Sequence, residues 1–191
     1  MGVAITTAGG WTHLQELLFA HGYNEQIGRW RSAFVFRGIG AGGHPLDTGL
    51  QRLGGDYVRL ERHLIRNFTK YAHRDAVEKN TVWHWLSLAQ HHGLPTRLLD
   101  WSFSPLVAAH FATDHLEDFD DDGLIWKIDM EQAHHRLPPR LREVLEREGA
   151  NTFTADILAR AVTSLAEFDA ITAEPFLLFF EPPSLDERIV N

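Results

Sequence analysis

Residues 89–112 read AQHHGLPTRLLDWSFSPLVAAHFA, and no other stretch of the 191-residue chain sets so many chemically demanding side chains so close together. Gln90, His91 and His92 close a helical pattern that Gly93 ends, and Pro95 keeps Leu94 out of the α region. Imidazolium is favoured at such a helix end. Residues 96–101, TRLLDW, then place Arg97 and Asp100 among Leu98, Leu99 and Trp101. Both charges are expected to be partly buried, and a buried Arg or Asp persists only when paired and hydrogen-bonded. Ser104 caps a new helix with Pro105 at its first position, and Leu106, Val107, His110 and Phe111 continue it.

Moving towards the N-terminus, residues 80–91 form a helix capped by Asn80 or Thr81. Residues 56–71 form an amphipathic one, with Tyr57, Leu60, Leu64, Phe68 and Tyr71 on its stripe. Glu61 sits beside that stripe, where a carboxylate is solvated or meets Arg59, Arg62 or Arg66. Residues 33–37, AFVFR, read as a short buried strand that Gly38, Gly40, Gly42 and Gly43 break. These glycines lack both the GxGxxG and the Walker spacing. A first helix spans residues 11–21, with Leu14, Leu17, Leu18 and His21 on one face. Thr7 lies in its cap region and Gly22 at its end.

Moving towards the C-terminus, residues 116–123 form an acidic turn that feeds a strand at 124–129, LIWKID. Asp118, Asp120, Asp122 and Asp129 mimic calcium-loop spacing, but a strand follows where that loop needs a helix. Pro138-Pro139 opens a helix to Glu148 that Gly149 stops. Residues 155–168 form another helix, and residues 175–180, PFLLFF, read as a buried strand. Short strands separated by more numerous helices make the fold α+β, a small central sheet flanked by several helices.

With 44% hydrophobic residues the chain fits one domain over residues 1–191 with a sizeable core. The absence of cysteine rules out disulfides and thiolate zinc sites. No signal peptide and no apolar run of membrane-spanning length is read, so a cytoplasmic location and no membrane partner are expected. A net charge of −8 disfavours a general grip on nucleic acid, although Arg outnumbers Lys and clusters between Arg52 and Arg74.

Three readings of residues 89–101 stay open. In one, Arg97 and Asp100 form a buried ion pair that locks the corner of a structural or interaction domain. In another, Gln90, His91, Thr96, Arg97, Asp100 and Trp101 line a pocket where an Arg meets an anionic group bidentately. In the third, His84, His91 and Asp100 hold a metal, but no HxxxH or HExxH spacing supports it, and no metal site is assigned.

Phe36-Arg37-Gly38 on a strand, Glu61 in LERHLIRNF, then QHHGLPTRLLDW and SPLVAAHFA together resemble the FRG domain, named for its Phe-Arg-Gly triplet. The resemblance covers residues 30–188. It departs at Ile39, where the family often has Gln, and at Arg188-Ile189, after which the chain stops as if truncated. The family is of unestablished activity. The resemblance implies little about activity; the residues themselves point to a nucleotide or other anionic ligand held between the Phe36-Arg37-Gly38 strand and residues 90–101. A strand ending in aromatic-Arg-Gly is also similar, more faintly, to arginine-type ADP-ribosyltransferases. That likeness would make the fold ADP-ribosyltransferase-like and the cofactor NAD. Arg37 would sit on its phosphate, Gly38 beside it, and Glu181, Glu174 or Glu61 would act as the catalytic carboxylate. Under it the chain would transfer ADP-ribose to a protein or nucleic-acid acceptor, or hydrolyse NAD. Without it, the chain binds its ligand and does no chemistry.

Overall fold

The computed structural model describes residues 3–25, 28–30, 32–40, 46–72, 79–115, 117 and 120–183. The elements in chain order are α1 (Trp11–Phe19), β1 (Tyr23–Asn24), β2 (Arg29–Trp30), β3 (Phe34–Ile39), a 3-10 turn (Gln51–Leu53), α2 (Tyr57–Tyr71), α3 (Val82–His91), α4 (Pro105–Phe111), β4 (Leu124–Asp129), α5 (Met130–His135), α6 (Pro139–Glu148), β5 (Phe153–Thr154), α7 (Ala155–Ala161), α8 (Leu165–Asp169) and β6 (Phe180–Glu181). The fold is α+β. Gly42, Gly43, Arg74, Asp118 and the Arg188-Ile189 end lie outside the described residues.

The chain divides into two compact units. The first is formed by the described residues of Met1–His44 and Asp100–Met130, the second by those of Pro45–Leu99 and Glu131–Asn191.

In the first unit β3 is a middle strand. It pairs antiparallel with β4, Phe36 opposite Lys127 and Arg37 opposite Trp126, and on its other edge Phe36 and Ser102 exchange backbone hydrogen bonds of 2.8 Å. The strand does not stop at Gly38 as expected but runs on to Ile39, because Gly38 and Ile39 keep pairing with Ile125 and Leu124. Period-two alternation puts Phe34, Phe36 and Gly38 on one face. There Leu18 of α1 and Ala108 and Ala109 of α4 pack with Phe36 into a core. Lys127 lies under the same layer, its ammonium 4.4 Å from the centre of the Phe34 ring. It donates to the carbonyls of Leu17, Leu18 and Ala20 at 2.9 to 3.4 Å, satisfying orphan acceptors at the end of α1. Burial pushes the Lys127 pKa down. α1 ends at Phe19, short of the expected His21, which has a left-handed φ of 63°.

In the second unit α3 is the core helix, with Trp83, Leu86, Leu88 and Ala89 buried. Thr81 caps it through its hydroxyl, and the Trp83 indole N–H donates to the Val162 carbonyl at 2.7 Å. α2 starts at its Asp56 cap, and α6 opens on Pro139 and ends on left-handed Gly149.

Two expectations need correction here. The helix over residues 155–168 is two helices, α7 and α8, separated by an extended Val162. The cause is local. Ser164 Oγ accepts from the Glu167 amide at 3.1 Å, while Glu167 Oε2 accepts from the Thr163 amide at 2.8 Å and its hydroxyl at 2.9 Å. That S-x-x-E pattern is a helix-start signature in mid-segment. The second correction is at residues 175–180. Only Phe180 joins a strand, pairing parallel with Phe153, while Phe176, Leu178 and Phe180 press on the core as an extended segment and Leu177 faces solvent.

The Thr163 amide, then the Arg140 guanidinium and the Thr163 hydroxyl, hold the Glu167 carboxyl down at about 2. A depressed carboxylate stabilises the fold fully above its unfolded value near 4.5 and loses that contribution as pH falls through about 2. In an acid titration followed by circular dichroism, Glu167→Gln is therefore expected to lower stability at pH 7 and to flatten its decline below pH 4.5. Ser164→Ala is expected to cost about 1 kcal/mol at neutral pH.

Candidate functional site

In the first unit the Phe-Arg-Gly triplet divides its labour. Phe36 is buried in the core beneath α4. Gly38 lies where the backbone of α4 crosses the strand, and a Cβ there would stand 1.8 Å from the Ala108 carbonyl oxygen. Arg37, between them, points to the other face of the strand by alternation. Its Nη1 donates to the Asp100 carbonyl at 2.8 Å, a contact across 63 residues that brings Arg37, Asp100 and the Trp101 backbone together.

Directly opposite Arg37 stands Trp126, on the same face. Its indole N–H is buried and has no acceptor among the described residues. A buried donor left unmet costs about 1–3 kcal/mol, so its position calls for an explanation. Trp126 was not a candidate from sequence. LIWKID reads as a strand, and the alternation separates Trp126 from Lys127, but nothing local reveals that it faces Arg37.

In the second unit Arg97 is the hub. Glu61 of α2, 0% exposed, accepts from the Arg97 amide at 2.8 Å through one oxygen and from Nε at 2.5 Å through the other. Arg97 Nη1 donates to Asp169 at the end of α8 at 2.6 Å, and Arg62 donates to the other Asp169 oxygen at 2.8 Å. The guanidinium carbon lies 5.6 Å from the Phe168 ring centre. Burial alone would lower the Arg97 pKa, but the Asp169 hydrogen bond and the Glu61 charge outweigh it and raise it. Burial likewise works to raise the Asp169 carboxyl, and its bonds to Arg97 and Arg62 hold it down instead.

This overturns the expected buried Arg97–Asp100 pair: Asp100 is exposed, and the carboxylates on Arg97 are Glu61 and Asp169. It also corrects Glu61, which is neither solvated nor paired within its own helix. Thr96, buried, donates its hydroxyl to Gln90 Oε1, accepts from the Leu98 amide, and offers its carbonyl to the Leu50 amide. His91 is exposed, with its ring against His92 at 5.4 Å. His84 is buried, its Nδ1 2.7 Å from the Thr81 hydroxyl at the start of α3. Glu174 and Glu181 are both exposed, the first in a turn and the second on β6. No group of three or more His, Asp or Glu among the described residues could hold a metal ion. No helix among them is long and apolar enough to cross a membrane.

Residues 32–121 match the family described as the FRG domain, a span that holds Arg37, Glu61, Arg97 and Asp100 and ends before Trp126 and Asp169. No curated protein and no solved structure matches the chain.

Proposed function

We propose that the chain, whose residues 32–121 match the FRG domain family, is a binding domain for an anionic ligand, a nucleotide in the first instance, and not an NAD-consuming enzyme. The ligand contacts are Arg37 and Trp126, with Asp100 and Trp101 around them, while Gly38 faces α4 on the other side of the strand. The observation that carries the reading is the buried, unmet indole N–H of Trp126 across the strand pair from Arg37. Phosphate or carboxylate oxygens are the acceptors such a donor lacks, and a guanidinium beside it meets their charge. Arg97 and Glu61 belong to the scaffold and neither bind the ligand nor catalyse, since they hold each other. Gln90 and Thr96 likewise bond to each other in the scaffold, and His91 stays an exposed neighbour. Glu174 and Glu181 lie in solvent, where a carboxylate stabilises a developing cation far less than in a dry site.

The test is thermal unfolding of the full chain with ADP, NAD or pyrophosphate, beside a nicotinamide-release assay. A ligand at about 100 times its Kd contributes about 2.7 kcal/mol, a rise of several degrees in Tm. Arg37→Ala and Trp126→Phe are each expected to abolish that rise. Trp126→Phe should leave the unliganded Tm unchanged or higher, because it removes an unmet donor. No rise with any of the three anions overturns the anion reading. Nicotinamide release lost in Arg37→Ala overturns the non-catalytic one in favour of an ADP-ribosyltransferase or NAD hydrolase.

A further inference from the structure

α4 is built inside out. Ala108, Ala109 and Ala112 are buried, and α4 lies so close to β3 that only glycine fits at position 38. On the opposite arc, at i, i+1, i+4 and i+5, stand Leu106, Val107, His110 and Phe111. Phe103 just ahead of the helix and Leu106, Val107 and Phe111 on it are 41% to 57% exposed. Together they leave four large apolar side chains open to solvent on and beside one short helix, a feature that on a monomer is often an interaction site.

Charge names the occupant. The 29 residues between Arg97 and Lys127 hold no Lys or Arg and seven Asp or Glu. Asp114, Glu117, Asp120, Asp121 and Asp122, all exposed, follow directly on the C-terminal end of α4, where the helix dipole already disfavours negative charge. A second copy would bring the same carboxylates against each other, and an anionic membrane would be repelled. We infer that the outer face of α4 docks a basic amphipathic helix of a partner protein. The partner's apolar stripe covers Leu106, Val107 and Phe111, and its Lys and Arg residues lie along the acidic turn. This surface is independent of the Arg37 site.

The probe is a fluorescein-labelled synthetic helix of roughly 15 residues with Leu at i, i+3, i+4 and i+7 and Lys elsewhere, titrated with the full chain by anisotropy. A twin carries Glu for every Lys. Saturable binding of the Lys peptide alone is expected. It should weaken at least tenfold in Leu106→Ser/Phe111→Ser, with the melting curve of the free protein unchanged. Asp120→Asn/Asp121→Asn/Asp122→Asn should weaken it too and reduce its salt dependence. Val107→Thr, a milder change of the same face, should give an intermediate loss. Absence of saturable binding, equal binding of the twin, or indifference to the serine and threonine variants would overturn the inference. So would a concentration-dependent dimer that the serine variant dissolves, since the face would then belong to a second copy.

Discussion

Arg97→Ala is expected to destabilise the protein by about 3–5 kcal/mol, because it strands a carboxylate that has no water to turn to. Glu61 is 0% exposed, and its oxygens are met by the amide and Nε of Arg97. The substitution keeps the amide bond and deletes the cation, so the charge stays buried with its counter-ion gone. Asp169 keeps Arg62 at 2.8 Å, but its carboxyl loses the Arg97 hydrogen bond that does most to hold it down. A depressed Asp stabilises the fold above its unfolded value near 3.8 and ceases to as pH falls through the depressed one, so the variant should also lose stability at a higher pH. Arg97→Lys keeps one charge but not the fork that reaches Glu61 and Asp169 together, and should fall between. The decisive comparison is Arg97→Met/Glu61→Leu. Removing both charges removes the stranded one, so the double variant should recover much of the loss in urea unfolding. If Arg97→Ala melts like the parent but loses ligand response, Arg97 is a ligand residue and the scaffold assignment fails.

What was legible in the sequence followed the range of the interaction. α2, α3, α4 and α6 are each marked by residues inside or next to them: Asp56, Thr81, Ser104 with Pro105, and Pro139 with Gly149. The α7–α8 break was also written locally, as Ser164 and Glu167, but the apolar period running over both helices masked it. PFLLFF failed because an apolar run states only that side chains are buried. It cannot distinguish a paired strand from an extended segment laid on a core. Arg97 was recognisable as a residue needing a partner, and Asp100 was the nearest candidate in sequence. The true partners lie 36 and 72 residues away on other elements, and no periodicity encodes which of many carboxylates a fold brings to one guanidinium. For the same reason Trp126 stayed hidden. Its place opposite Arg37 is a matter of strand register, which appears only once β3 and β4 are paired.

Gly38→Ala should be the most damaging single methyl in the first unit. Glycine was read as the end of a strand, but the strand runs through it, and Gly38 has an ordinary negative-φ backbone, so conformational freedom is not the reason for it. The reason is distance. An added Cβ would lie 1.8 Å from the Ala108 carbonyl oxygen and 2.8 Å from both the Ala108 carbonyl carbon and the Ala112 nitrogen. All three are backbone atoms, and the Ala112 amide donates to that same Ala108 carbonyl at 3.0 Å, so no side chain can swing aside. Relief requires α4 to lift off β3, uncovering Phe36, Ala108 and Ala109. Overpacking that forces backbone to move costs about 1–3 kcal/mol, occasionally more. Gly123 provides the graded control. Its added Cβ would stand 2.5 Å from the Ala112 carbonyl, at the C-terminal end of α4, where a final turn can shift. Gly123→Ala should therefore destabilise clearly less than Gly38→Ala. Hydrogen exchange of Gly38→Ala is expected to lose protection in β3, β4 and α4, while α3 amides stay protected. Should Gly38→Ala melt with the parent, α4 does not lie on β3 as described, and the exposed outer face of α4 would have to be reconsidered with it.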